Sequence, residues 1–314
     1  VTQPPAADAA DTDADDDSGS GSSSGSGSDG CGDGSGKVRP SVVSIGGDRP
    51  RNWLLLIVSA WVAVLLAGIG WAVVHGRPTD REQTTVAAAL PYVDAAASRI
   101  AATAEADGQA VSVVSGFDKV GDCKVSLVRP GQRFQRVVTV LVAPGTEGAA
   151  FQRIAARLPA SYKITVRTAP LPSLVGDAGL FVRIVGNKAG DGVLRIALDT
   201  GSCRSLGPLL VPTPPPGNRS AVAPAFQRLG LAPVQTMVFA VPCTRGPGQL
   251  STVESFGPDN QVAVASHLPS TLDGLGTPIV SSPQLYAYRS GDATVGVRVE
   301  DNRVVVSATS GCAS

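Results

Sequence analysis

The 314 residues carry 26 basic and 26 acidic side chains, and that zero balance hides two unlike regions. Residues 1–52 hold nine aspartates against four bases, a net of −5, so the rest of the chain is basic by the same amount. With only two histidines, and four of the five cysteines set aside for bridges, no zinc site is expected.

The first 52 residues combine an acidic run over 8–17 with a Gly/Ser/Asp tract over 18–36. Such a composition buries too little apolar surface to offset chain entropy, so a disordered tail is expected. Its aspartates lack the turn glycine and distal glutamate of a calcium loop. Cys31 stands alone in this tract and reads as an exposed thiol.

Residues 53–74 contain no charge. As a helix they would span about 33 Å, enough for a bilayer core of ~30 Å. Lys37, Arg39, Arg49 and Arg51 precede the stretch and only Arg77 and Arg81 follow it, which orients the N-terminus toward the cytoplasm. Trp53 and Trp71 suit the two interfaces, and Ser59, Ala63 and Ala67 form a small-residue face. A cleaved signal peptide is the competing reading. Its apolar core is usually 7–15 residues after a brief basic segment, so a retained anchor fits better.

Residues 75–90 read as a juxtamembrane stalk and 91–205 as a first α+β unit. Val86, Leu90, Val93, Ala97, Ile100 and Ala104 recur at helical spacing, with Pro91 expected in the first turn. Alternating apolar residues predict strands over 110–116, 134–142, 162–167, 180–185 and 193–198, with a helix over 147–158. The prolines of 206–217 then mark a semi-rigid spacer. A second unit over 218–314 opens with a helix over 218–229 and a strand over 234–241. It closes with a hairpin whose Asp301 and Asn302 tolerate the positive φ of a tight turn.

The second unit reads as a worn copy of the first. Thr200-Gly201-Ser202-Cys203 closes one and Thr309-Ser310-Gly311-Cys312 the other. Four cysteines allow three connectivities. If each copy folds as a unit, the pairs are Cys123–Cys203 and Cys243–Cys312, which suits an oxidising compartment.

No Gly-x-Ser-x-Gly elbow or phosphate-cradling glycine loop occurs, and no cofactor is expected. Asp118 and Asp122 are an acid pair without specificity. The one charge feature above background lies between Lys119 and Arg167, with nine bases and two acids. Within it Arg153 and Arg157, four apart on a helix, are candidates for an anion-facing patch. Nucleic acid is an unsuitable partner outside a membrane and without interleaved aromatics.

The expected fold is therefore α+β: one transmembrane helix, then two tandem disulfide-stapled units, each a helix on a small antiparallel sheet. The expected role is a non-catalytic envelope protein, integral to the membrane, whose extracytoplasmic body binds anionic wall polymer, lipid headgroups or another envelope protein. The alternatives are an accessory or sensory subunit of an envelope complex and, behind it, an undetected hydrolase.

Overall fold

The structure, a computed structural model, describes residues 50–75, 84–126, 129–211, 214, 217–244, 246–259 and 267–312. The expectations for the acidic tail and Cys31, and those for residues 76–83 of the stalk, fall outside these residues. The chain divides near His75 into two bodies. In the first, helix α1 (Pro50–His75) runs unbroken for 26 residues, about 39 Å. Its segment Trp53–Trp71 has a mean hydropathy of 2.4 and buries nothing within the fold. It is long and apolar enough to cross a membrane.

The second body opens with α2 (Val86–Glu105). Thr85 caps it, its hydroxyl accepting from the Ala88 N–H at 3.0 Å. The Val86 and Ala87 N–H groups donate to the carbonyls of Ser205 and Leu206. With its first donors satisfied in this way, the helix starts five residues before Pro91, which lies inside it rather than in its first turn.

Three strands follow: β1 (Val111–Val114), β2 (Asp118–Lys124) and β3 (Pro130–Leu141). Helix α3 (Glu147–Arg157) leads to β4 (Thr165–Arg167), β5 (Ser173–Asp177), β6 (Arg183–Gly190) and β7 (Val193–Asp199). The strand expected over 180–185 starts later, at Arg183, because Leu180 and Phe181 take positive φ in a turn. The one expected over 162–167 is shortened by a 3-10 turn at Ala160–Tyr162 and by a left-handed Lys163.

The remaining elements are α4 (Ala223–Leu229), β8 (Gln235–Pro242), β9 (Gln249–Asp259), α5 (Leu268–Leu272), β10 (Thr277–Ser282), β11 (Leu285–Ser290), β12 (Ala293–Glu300) and β13 (Arg303–Ser310). Asp301 and Asn302, both at positive φ, make the two-residue turn between β12 and β13.

Among the described residues these strands form two antiparallel sheets. β1 and β2 lie end to end along one edge of β3, and the order continues β3-β7-β6-β5-β4. The second sheet runs β8-β9-β13-β12-β11-β10. Both sheets therefore follow one chain path, with one helix before the opening strand and another before the four closing strands. A disulfide joins the opening to the closing segment in each: Cys123 to Cys203 and Cys243 to Cys312.

Ile100, Phe151 and Ile154 from α2 and α3 pack on Val138, Ile184 and Ile196 of the first sheet. Phe226, Leu268 and Leu272 from α4 and α5 pack on Tyr288, Val297 and Val306 of the second. The other faces of the sheets meet through Val111, Leu141, Val280, Leu285 and Ala287. A Cβ at Gly296 would run into the Leu141 side chain, so glycine permits this approach.

Strand β1 packs across the second sheet, against β12, β13, β9 and β8. Its outward backbone groups are met on the way. The Thr309 hydroxyl donates to the Ser112 carbonyl at 2.7 Å, and Thr252 Oγ1 accepts from the Val114 N–H at 3.2 Å. Since Thr309 has one proton, Thr252 must donate in the 3.0 Å contact between the two hydroxyls. The seam protects a strand edge that would otherwise lack partners.

Glu147, buried at the start of α3, gives this body a pH dependence. Its Oε1 accepts from the Gly192 N–H at 2.9 Å and sits 3.1 Å from Lys188 Nζ, tying the helix to the β6–β7 turn. Burial alone would raise its pKa. The Gly192, Gly145 and own backbone N–H groups, together with Lys188, outweigh burial and hold the carboxyl at about 2. A depressed folded pKa stabilises the fold above the unfolded value near 4.5, and that contribution is lost as pH falls toward 2. The expected loss is about 3 kcal/mol. Urea unfolding of wild type and Glu147→Gln at pH 6, 4 and 3 should show this slope only in wild type. Parallel curves would refute it.

Candidate functional site

Among the described residues, two depressions stand out on the second body. The first is a groove of about 490 Å³ between the opening half of α2, the start of the proline-rich segment and the end of β8. Its walls are Ala87, Leu90, Pro91 and Ala95 on α2, Pro208 and Leu210 opposite, and Pro242, Cys243 and Thr244 closing one end. Leu210 is 85% exposed, an aliphatic side chain at the rim. The size falls within the range of small-molecule pockets.

Among the described residues that line this groove, Asp94 is the one charged side chain, and it is only 7% exposed. Its Oδ1 lies 3.1 Å from Arg136 Nη2. Arg136, also buried, donates through Nη1 to the Ser115 carbonyl at 2.6 Å. The charges balance, yet Oδ1 is not aligned with any donor among the described residues. Burial pushes the Asp94 carboxyl up, against the opposing pull of Arg136, and burial likewise lowers Arg136.

The second depression, about 280 Å³, opens where the bare faces of the two sheets diverge. Arg298 is its hub. It donates through Nη2 to Glu254 at 2.8 Å, through Nε to Glu300 at 3.0 Å and through Nη1 to Ser307 at 3.0 Å. Burial would lower its pKa, but the two carboxylates outweigh that and raise it. One guanidinium thus holds both acids as ion-pair partners.

The candidate patch residues Arg153 and Arg157 share one side of α3, but they converge on an acid. Arg157 pairs with Asp107, just beyond α2, through both terminal nitrogens, and Arg153 Nε lies 3.9 Å from the same carboxylate. This lowers the Asp107 carboxyl and raises the Arg157 guanidinium. Lys119 pairs with Asp122 at 2.7 Å, and Gln132 also reaches that carboxylate. Among the described residues, four of the nine bases between Lys119 and Arg167 therefore have a carboxylate partner, and for three of them that partner (Asp94 or Asp107) lies outside the stretch.

His267 precedes α5, where its carbonyl accepts from the Ser270 and Thr271 hydroxyls. No cluster of metal-ligating side chains occurs among the described residues. Comparison with protein-family models, curated proteins and solved structures found no match to this chain.

Asp94 and its partner Arg136 were not singled out by spacing. Asp94 follows Leu90 by four and precedes Ala97 by three, in phase with the apolar side of its helix. Arg136 shares the alternation of Val138 and Val140. A charge in register with buried neighbours is the signal that would have found both.

Proposed function

We propose that this chain is a single-pass membrane protein, tethered by α1, whose second body lies outside the cytoplasmic membrane and binds or scaffolds another envelope component without catalysis. The observation that carries this reading is the apolar surface of Trp53–Trp71, none of it covered by the fold. Such a surface needs a non-aqueous cover, and a helix satisfies its own backbone within one.

The two disulfides fit an oxidising exterior. The common chain path of the two sheets supports tandem copies of one unit. Arg298 pairs with Glu254 and Glu300 in the inter-sheet cleft, which favours binding over hydrolysis. The partner is an anionic wall polymer, a lipid or another envelope protein.

Protease added to intact spheroplasts should digest the segment beyond residue 85 and spare an N-terminal tag. The full chain should also stay with membranes through a carbonate wash. A protected second body, or release by the wash, would overturn the reading.

A further inference from the structure

We propose that the bare face of the first sheet binds an extended phosphodiester polymer of the envelope, laid along one row of side chains that crosses β4, β5, β6, β7 and β3. This deepens the envelope-binding reading and rests on it for the source of the polymer.

Register sets the row. Arg167 lies beside Ser173, Ser173 beside Asn187, Asn187 beside Arg195 and Arg195 beside Thr139, so all five share one face. Leu174, Ile184 and Ile196 occupy the opposite face, in the helix-covered core. The second sheet meets the bare face around Leu141 and Val193. Beside them, Arg167, Asn187 and Arg195 are exposed. Arg167 and Arg195 are three strand spacings apart, about 14 Å.

Every member of the row carries a donor, and no acid interrupts it. Among the described residues, Arg167, Ser173, Asn187 and Thr139 have no side-chain hydrogen bond or ion pair. Arg195 has one distant contact, with Nη1 4.0 Å from Glu300. That carboxylate is already held by Arg298 at closer range, so Arg195 can take another anion. Arg153 and Arg157, by contrast, are neutralised by Asp107.

Two cations with neutral donors between them complement a chain of spaced anions. Guanidinium, hydroxyl and amide groups are the usual contacts of phosphate oxygens. A phosphodiester lies within its polymer backbone, so a chain laid along the row brings each charge onto it. Uronate carboxylates project from the sides of their sugar rings instead. An apolar row of Val175, Val185 and Ala197 runs alongside and can cover the carbon skeleton. Asp177 and Asp199 lie beyond that row, flanking Arg183, and keep a polyanion to the one track. The track ends at Arg195 and Thr139, in the cleft where the two sheets diverge. That angle admits a narrow chain and excludes the plane of a bilayer.

The test uses the full chain in phosphatidylcholine vesicles and a fluorescent glycerol-phosphate oligomer longer than the row. Anisotropy should report binding that weakens as salt rises. Arg167→Glu with Arg195→Glu should weaken it at least about tenfold, since two contacts become two repulsions. The glutamine pair at the same positions should weaken it less. Arg153→Glu with Arg157→Glu makes the same change in net charge on the helix-covered side of the sheet. It should leave the affinity within about twofold.

Equal losses from the two glutamate pairs would overturn the proposal, because binding would then follow net charge alone. So would no loss at Arg167 and Arg195, or equal affinity for polygalacturonate. Displacement of the oligomer by phosphatidylglycerol vesicles as effectively as by unlabelled oligomer would assign the face to lipid and overturn it too. Failure of the membrane reading shows separately, as release of the chain from vesicles in carbonate while oligomer binding persists.

Discussion

Arg298→Met is expected to destabilise the second body by about 3–5 kcal/mol, the range for breaking a buried ion pair from one side. Methionine retains most of the side-chain length but removes the donors to Glu254, Glu300 and Ser307. Glu300 is partly exposed and can turn to water. Glu254 is buried, and its remaining hydrogen bond comes from the Ser307 hydroxyl at 3.2 Å. The cost therefore falls on an uncompensated carboxylate rather than on lost packing.

The double variant Arg298→Met with Glu254→Gln should recover most of that stability, because no buried charge remains unpaired. Urea unfolding of both single variants and the double closes the cycle. If Arg298→Met costs under about 1 kcal/mol, water reaches Glu254 and the cleft is more open than its geometry implies.

Elements whose apolar residues face their own helix-covered core were legible. The period of 147–158 gives α3 to within one residue, because Phe151 and Ile154 both pack on the first sheet. The closing hairpin was readable from its alternation and from Asp301-Asn302. The two bridges are the pairs the internal repeat selects.

Two strands without an apolar alternation, β9 and β2, were not legible. β9 turns Thr252 and Glu254 toward the other sheet, so its alternation reads as polar although both residues are buried. β2 is largely exposed and is held by pairing with β3 and by the Cys123 bridge, neither of which leaves a hydrophobic pattern. The groove joins residues near 90, 208 and 242, and no local window spans them. The apparent basic excess of 119–167 had the same defect, since Asp94 and Asp107 lie upstream of it.

Removing either bridge is expected to cost about 4–5 kcal/mol in the chain-entropy model, because the closed segments are long. The separations are 80 residues for Cys123–Cys203 and 69 for Cys243–Cys312, and the logarithmic dependence makes the two nearly equal. Where that destabilisation appears is the sharper question. If the halves were independent modules, Cys243→Ser with Cys312→Ser would weaken only the second sheet. The seam predicts otherwise. The Ser112 carbonyl of the first sheet accepts from Thr309 of the second, the Val114 N–H donates to Thr252, and Glu105 of α2 accepts from Thr294 at 3.2 Å. Unfolding the second sheet would strip β1 of these partners and expose Val111 and Leu141. Hydrogen exchange should therefore show amides of β3 and β7 losing protection together with those of β12 and β13. Loss confined to the second sheet would mean that the seam carries little of the coupling and that each bridge staples a unit able to stand alone.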